Sequence, residues 1–162
     1  MPPPTAELSA RAFPIRAIAR LMGAYVLRVA EKLGAIGDLL DGLIVLEVFR
    51  SNTEHLPRGP TPGDGPDNGI PVADEHRRPI AVTALARRLG VPHETARRHV
   101  AGLIARDTCR RVRGGLIIPA ETLSRPQLRG VLVENSGNLH RLFGALSQLG
   151  VLVIWDSVRL RA

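Results

Sequence analysis

Residues 56–79 hold six prolines and four glycines in 24 positions. Proline removes a backbone donor and fixes φ, so a run this dense excludes a regular helix or an inner strand. The segment reads as an exposed loop, with regular structure on either side. A structureless insertion of that length inside a compact domain is uncommon, which marks it as either mobile or functional.

Before the loop the apolar spacing is helical. Residues 1–13 read as a frayed, disordered Pro-rich start. From Pro14, the residues Ile15, Ile18, Met22, Tyr25, Val26, Val29 and Leu33 recur at intervals of three and four, one stripe of a helix over 14–35. Pro14 suits its first turn and Gly34 its end. A second helix is expected from about Ile36 to Glu54. Leu39, Leu40, Leu43, Ile44, Leu46, Val48 and Phe49 make it apolar on more than one face, the pattern of a helix that is buried or lies between subunits.

After the loop the elements are shorter. Helices are expected at about 83–89 and 93–106 with a tight turn at Gly90. Cys109–Arg113 and Leu116–Pro119 read as a β-hairpin around Arg113-Gly114-Gly115. Ser124 is placed to cap a last long helix with Pro126 in its first turn, and Gly150 ends it. Residues 151–162 suggest a short strand (VLVIW) and a basic tail. Aromatics are only 3% of the chain and apolar residues 44%, so the core must be mostly Leu, Val, Ile and Ala, a composition that favours helices. The fold class expected is mainly α.

The net charge of +7 is unevenly placed. Between Arg77 and Arg113 lie ten Arg against two acids, Glu94 and Asp107, a local excess of eight positive charges; the rest of the chain carries twelve basic and thirteen acidic residues. A basic patch confined to one module is the footprint of a polyanionic partner, although a solvated charged face has the same composition.

The string Thr83-Ala84-Leu85-Ala86-Arg87-Arg88-Leu89-Gly90-Val91-Pro92-His93-Glu94-Thr95-Ala96-Arg97-Arg98-His99-Val100 explains how such a patch could be used. Leu85, Ala86 and Leu89 face inward on the first helix, and Gly90 permits the left-handed backbone of a short turn. Ala96, Val100, Leu103 and Ile104 then form the inner stripe of the second helix. His93, Glu94, Arg97 and Arg98 are left outward, where the early positions of such a helix reach base edges in the major groove. Arg pairs bidentately with guanine and Glu accepts from cytosine. Thr83, Arg87 and Thr95 suit phosphates, and Arg110, Arg111 and Arg113 of the hairpin suit phosphates or the minor groove.

The string TALARRLGVPHETARRHVAGL, followed by CRRVRGGLIIP, resembles the DNA-binding module of bacterial winged helix-turn-helix transcriptional regulators, the broad gluconate-repressor-like group. The resemblance covers 79–119 best and extends to 36–55. It implies a winged helix at 36–119 in which helix 36–54 comes first, residues 56–79 are an insertion longer than the family's usual connection, and CRRVRGGLIIP is the wing. The function it implies is transcriptional regulation by binding double-stranded DNA. The long flanking helices, 14–35 and the one within 120–162, are expected to join a homodimer, because such regulators pair two-fold on palindromic sites. A protein-interaction module and an architectural DNA-binding protein without sequence preference are the rivals.

Other chemistries find little support. Cys109 is the one cysteine, so no intramolecular disulfide can form and a Cys-rich zinc site is excluded. It reads as a small buried residue opening the hairpin; the alternative is a redox switch with Arg110 and Arg111 lowering its pKa. His99 reads as a helix-packing residue beside Val100. No metal ligands, cofactor or catalytic residues are expected, and no enzymatic activity. The start of the chain does not read as a secretory signal and no run is long enough to span a bilayer. The expected place is the bacterial cytoplasm, with the nucleoid.

Overall fold

The computed structural model describes residues 14–56 and 72–152. In chain order these form α1 (Ile15–Gly34), α2 (Leu39–Thr53), a short 3-10 turn (Asp74–His76), α3 (Val82–Leu89), α4 (His93–Ala105), strands β1 (Arg110–Val112) and β2 (Gly115–Ile117), α5 (Ala120–Leu123) and α6 (Pro126–Gln148). The architecture is mainly helical with one small antiparallel hairpin. Two compact units divide the chain, one of Glu31–Leu132 and the other of Met1–Ala30 with Val133–Ala162. No helix among the described residues is long and apolar enough to cross a membrane. The expectations for 1–13, for 57–71 and for most of the 151–162 segment fall outside the described residues.

α1 opens where Pro14 implied, with the Ile18 amide donating to the Pro14 carbonyl at 3.0 Å. Of its expected apolar stripe only Leu33 is buried; Ile15, Met22 and Val26 remain exposed, as do Val133, Leu139 and Phe143 of α6. The second helix starts at Leu39 rather than Ile36. The cause is Asp38, whose extended backbone and side chain cap the helix by accepting from the Asp41 amide at 2.8 Å. Residues 35–37 instead close three successive short turns onto Lys32, Leu33 and Gly34.

The core of the Glu31–Leu132 unit is where α2, α3, α4 and the hairpin meet. Ile44 and Val48 of α2, Leu85 of α3, Val100 and Leu103 of α4, and Leu116 and Ile118 around β2 are all 0% exposed. Each such side chain contributes roughly 1.5–3 kcal/mol over leaving it in water. Leu39, Leu43 and Leu46 remain exposed on the other side of α2, so that helix is apolar on more than one face. Next to it a hollow is lined only by apolar side chains, among them Leu33, Phe49, Leu123 and Leu128.

α3 and α4 are joined by three residues, Gly90-Val91-Pro92. Gly90 takes φ +67°, and the Val91 amide reaches back to the Ala86 carbonyl at 3.0 Å. Such a left-handed residue closes the carbonyls that a helix end leaves open, and glycine adopts it without steric cost. Ala96, Val100 and Leu103 then fix the inner stripe of α4, as the spacing predicts. The hairpin registers Arg110 with Ile117, Arg111 with Leu116 and Val112 with Gly115. A third stretch joins its edge: Ile80 bridges Leu116 with N–O distances of 3.1 and 2.9 Å. Gly115 is needed at that crossing, since a Cβ there would sit 2.3 Å from the Ile80 carbonyl oxygen.

Three sequence expectations require correction here. Residues 56–79 do not form one loop throughout. Residues 72–78 contain neither Pro nor Gly; they make the 3-10 turn, and Arg77 is buried with its guanidinium donating to the Val72 carbonyl at 2.6 Å. The breaking power of the segment is concentrated in 57–71, which holds five of its prolines and all four glycines. Second, Ser124 does not supply the side-chain cap expected for the last helix. It follows the unanticipated α5, and its hydroxyl donates back to the Ala120 carbonyl at 3.3 Å. Third, Val151 and Leu152 are helical, where a strand was expected to begin. Gly150, with φ +70°, stands where the long helix was expected to end.

Candidate nucleic-acid interface

Because the inner stripe of α4 is fully buried, its other face is turned to solvent. His93, Glu94, Arg97 and Arg98 are all exposed, and Thr95 is half-buried at its edge. Thr83 and Arg87 are exposed on α3, Arg110 and Arg111 on β1, and Arg113 at the turn of the hairpin. Thus nine of the ten residues expected at the site are accessible, and all ten sit on the consecutive elements α3, α4 and the hairpin.

Their electrostatic states differ. Arg97 is held by Glu94 one helical turn away: Nε donates to Oε2 at 2.8 Å and Nη2 to Oε1 at 2.6 Å. The Arg97 hydrogen bond holds the Glu94 carboxyl below the usual carboxylate range against the cost of desolvation, and the electrostatic influence of Arg97, His93 and Arg98 adds to it. Arg110 donates to Asp74 at 3.3 Å and to Glu121, so the first hairpin arginine is tied to the fold by two acids. Among the described residues Arg87, Arg98, Arg111 and Arg113 have no acidic partner.

Sequence reasoning missed three arginine and histidine roles. Arg88 of α3 reaches across to α2, donating to Glu47 at 3.2 Å, Ser51 at 2.8 Å and Glu54 at 3.2 Å. Arg50 and then Arg88 hold the Glu47 carboxyl below its ordinary pKa against the opposing cost of partial burial. Arg106, the residue that closes α4, donates to Asp41 at 2.6 Å. His99 is more than a packing residue: its Nδ1 lies 2.8 Å from the other oxygen of Asp41 and 3.7 Å from Asp38. Positions 99 and 106 are seven apart, two helical turns, so one buried carboxylate of α2 takes both and pins α4 along its length. The only sequence hint was that shared face.

The same contacts weigh against a metal at this spot. Asp38, Asp41 and His99 bring one ligand atom each within 4.8 Å, a grouping their sequence spacing did not reveal. Yet one Asp41 oxygen faces Arg106, the other faces His99, and Asp38 Oδ1 accepts from the helix amide. Both Asp41 oxygens and Asp38 Oδ1 therefore already have protein partners.

Cys109 is 3% exposed, and burial first, then the Asp41 carboxylate, pushes its thiol up to about 12. The flanking arginines do not offset this, so the packed reading of Cys109 stands and the switch reading fails. At pH 8 the native protein is expected to resist iodoacetamide, whereas unfolded protein alkylates within minutes; mass spectrometry of both reads the difference, and rapid native labelling would contradict the buried thiol.

No protein-family model, no curated protein and no solved structure matches this chain.

Proposed function

We propose that the Glu31–Leu132 unit is a winged helix-turn-helix and that the chain is a sequence-specific, double-stranded DNA-binding transcriptional regulator. In this reading α3 and α4 are the helix-turn-helix, α4 enters the major groove and β1–β2 is the wing. The observation that carries it is the exposed face of α4, with His93, Glu94, Arg97 and Arg98 on successive outward positions, followed directly by a hairpin bearing unpartnered Arg111 and Arg113. Arg97 and Arg98 read base edges, with Glu94 and His93 beside them. Thr83, Arg87, Thr95, Arg111 and Arg113 position the backbone, and Arg110 does so less strongly because Asp74 and Glu121 already neutralise it. No catalytic step or cofactor belongs to this reading, and its setting is the bacterial nucleoid.

The chain acts as a homodimer in the same proposal, because a single reading helix has limited affinity and two-fold pairing doubles the site. The apolar side chains left exposed on α1 and α6 supply material for that contact.

The test is selection from a pool of random duplexes at two salt concentrations. An enriched palindrome with half-sites about one helical turn apart is the expected result. If about four arginines of each protomer, eight in the dimer, meet phosphates, affinity falls on the order of 10⁴-fold between 50 and 200 mM salt. Salt-sensitive binding without an enriched motif would point to an architectural protein. Absence of binding at both concentrations would leave a protein-interaction module, with an acidic partner for the arginines.

A further inference from the structure

Glu94 is the one acid in α4, and it stands on the exposed face, 69% accessible at the side chain, where a polyanion would approach. A carboxylate there repels phosphate, so its position calls for a reason. Part of the reason is local: an acid in the first turn complements the helix dipole, and an acid preceding a base by one turn supports the helix. Those reasons account for the acid but not for the geometry. Glu94 closes on Arg97 with both oxygens, occupying Nε and Nη2, the edge with which an arginine grips a phosphate or a guanine. Next to it Arg98 has no such partner among the described residues.

Resting on the DNA-binding reading above, we infer that Glu94 is a specificity-determining residue: it withholds Arg97 from the phosphates of an arbitrary duplex and releases it only where the bases satisfy both side chains. On a random sequence, moving Arg97 to a phosphate strands the Glu94 carboxylate against the same anionic surface, so the pair stays closed. At a site offering a guanine and a nearby cytosine, Arg97 donates to guanine O6 and N7 while Glu94 accepts from the cytosine amino group. Both partners are then exchanged together, and neither is left unpaired. Exposed pairs of this kind are weak in water, so the exchange is easy once the bases are present.

Glu94→Gln keeps the shape and removes the charge; it removes the helix support as well, but that loss is read as stability and not as a gain in random-duplex affinity. For each protomer on the DNA, affinity for a random duplex is expected to rise about eight-fold at 0.1 M salt, with a salt slope steeper by about 0.9, as one more cation meets phosphate. The ratio between the selected site and random duplex is expected to fall on the order of ten-fold or more, with the loss concentrated at one cytosine. Glu31→Gln removes the same charge from an exposed position outside α4 and leaves both quantities unchanged. In an Arg97→Ala background, Glu94→Gln produces a smaller rise, from relieved repulsion alone, and leaves the salt slope nearly unchanged, because no arginine is released to a phosphate. Thermal melting followed by circular dichroism checks that each variant is folded. If Glu94→Gln changes neither random-duplex affinity nor the ratio, or weakens random binding, Glu94 only supports the helix and the inference is overturned. If the native chain binds no duplex at all, the DNA-binding reading itself fails and this inference with it.

Discussion

Asn52→Leu is expected to lower the unfolding free energy by about 3 kcal/mol. Asn52 lies in the last turn of α2 and is 0% exposed. Its amide nitrogen donates to the Arg78 carbonyl at 2.8 Å and to the Leu116 carbonyl at 3.2 Å, and its oxygen accepts from the Ile118 amide at 3.0 Å. One side chain thus joins α2 to both stretches that build the hairpin's inner edge. Leucine has the same branching and number of heavy atoms but is bulkier, so no cavity forms and the cost comes from stranded backbone groups together with overpacking at a fully buried position. Leu116 keeps its partner in the Ile80 amide, but the Ile118 amide and the Arg78 carbonyl lose theirs. The stranded Ile118 amide is buried and costs roughly 1–3 kcal/mol, the part-buried Arg78 carbonyl adds less because water can reach it, and overpacking by the larger leucine brings the total to about 3 kcal/mol. For a chain of this length that is a fall in melting temperature of about 6–12 °C. Urea unfolding should show a lower midpoint at unchanged slope. Asn52→Asp keeps the acceptor for Ile118 but faces two carbonyls with a carboxylate, so it should be at least as damaging at pH 7 and milder in acid, where the protonated acid regains a donor. A native-like midpoint for Asn52→Leu would mean that the hairpin is held by its apolar packing alone.

That clamp also shows which parts of the molecule were legible in the sequence. α3 and α4 were, to within one residue at each end, because their information is local: an apolar stripe, a glycine at the turn, a proline before the second helix. The hairpin was, because Gly114 and Gly115 announce its turn. Asn52 was not. A polar residue near the end of an apolar helix reads as fraying, and its partners lie 26 to 66 positions away. The arginines illustrate the same limit. A segment count gives 77–113 eight excess positive charges, but Arg88, Arg106 and Arg110 meet acids of α2, the 3-10 turn and α5 that lie outside that segment. Linear charge density therefore overstates the field available to a partner. The accessible positions followed correctly from the inner stripe of α4; which of them were unpartnered could be known only from the long-range pairs.

The unpartnered arginines therefore decide the second large effect. In the proposed DNA-binding reading, Arg111→Ala with Arg113→Ala is expected to weaken binding on the order of fifty-fold at 0.1 M salt, and to flatten the salt slope by about 1.8, for each protomer on the DNA. Both numbers correspond to two phosphates that the protein no longer neutralises and that keep their counterions. The weakening should be nearly uniform across sequences, because phosphate contacts position the protein without reading bases. Stability should change little: both side chains are exposed and hold no acid among the described residues, while the register of β1 against β2 rests on backbone pairs and on Gly115 beneath Ile80. Arg110→Ala is the informative contrast. Its guanidinium already faces Asp74 and Glu121, so its removal should cost less affinity per charge and more stability than either neighbour. Filter binding over a salt series, with urea unfolding of the same preparations, measures both. If Arg110→Ala flattens the salt slope as much as the double variant does, the pair with Asp74 and Glu121 opens on DNA and β1 is a full part of the phosphate grip. If the double variant leaves the slope unchanged, the hairpin faces away from the duplex, and the phosphate contacts must then come from Arg87, with Arg98 meeting a phosphate in place of a base edge.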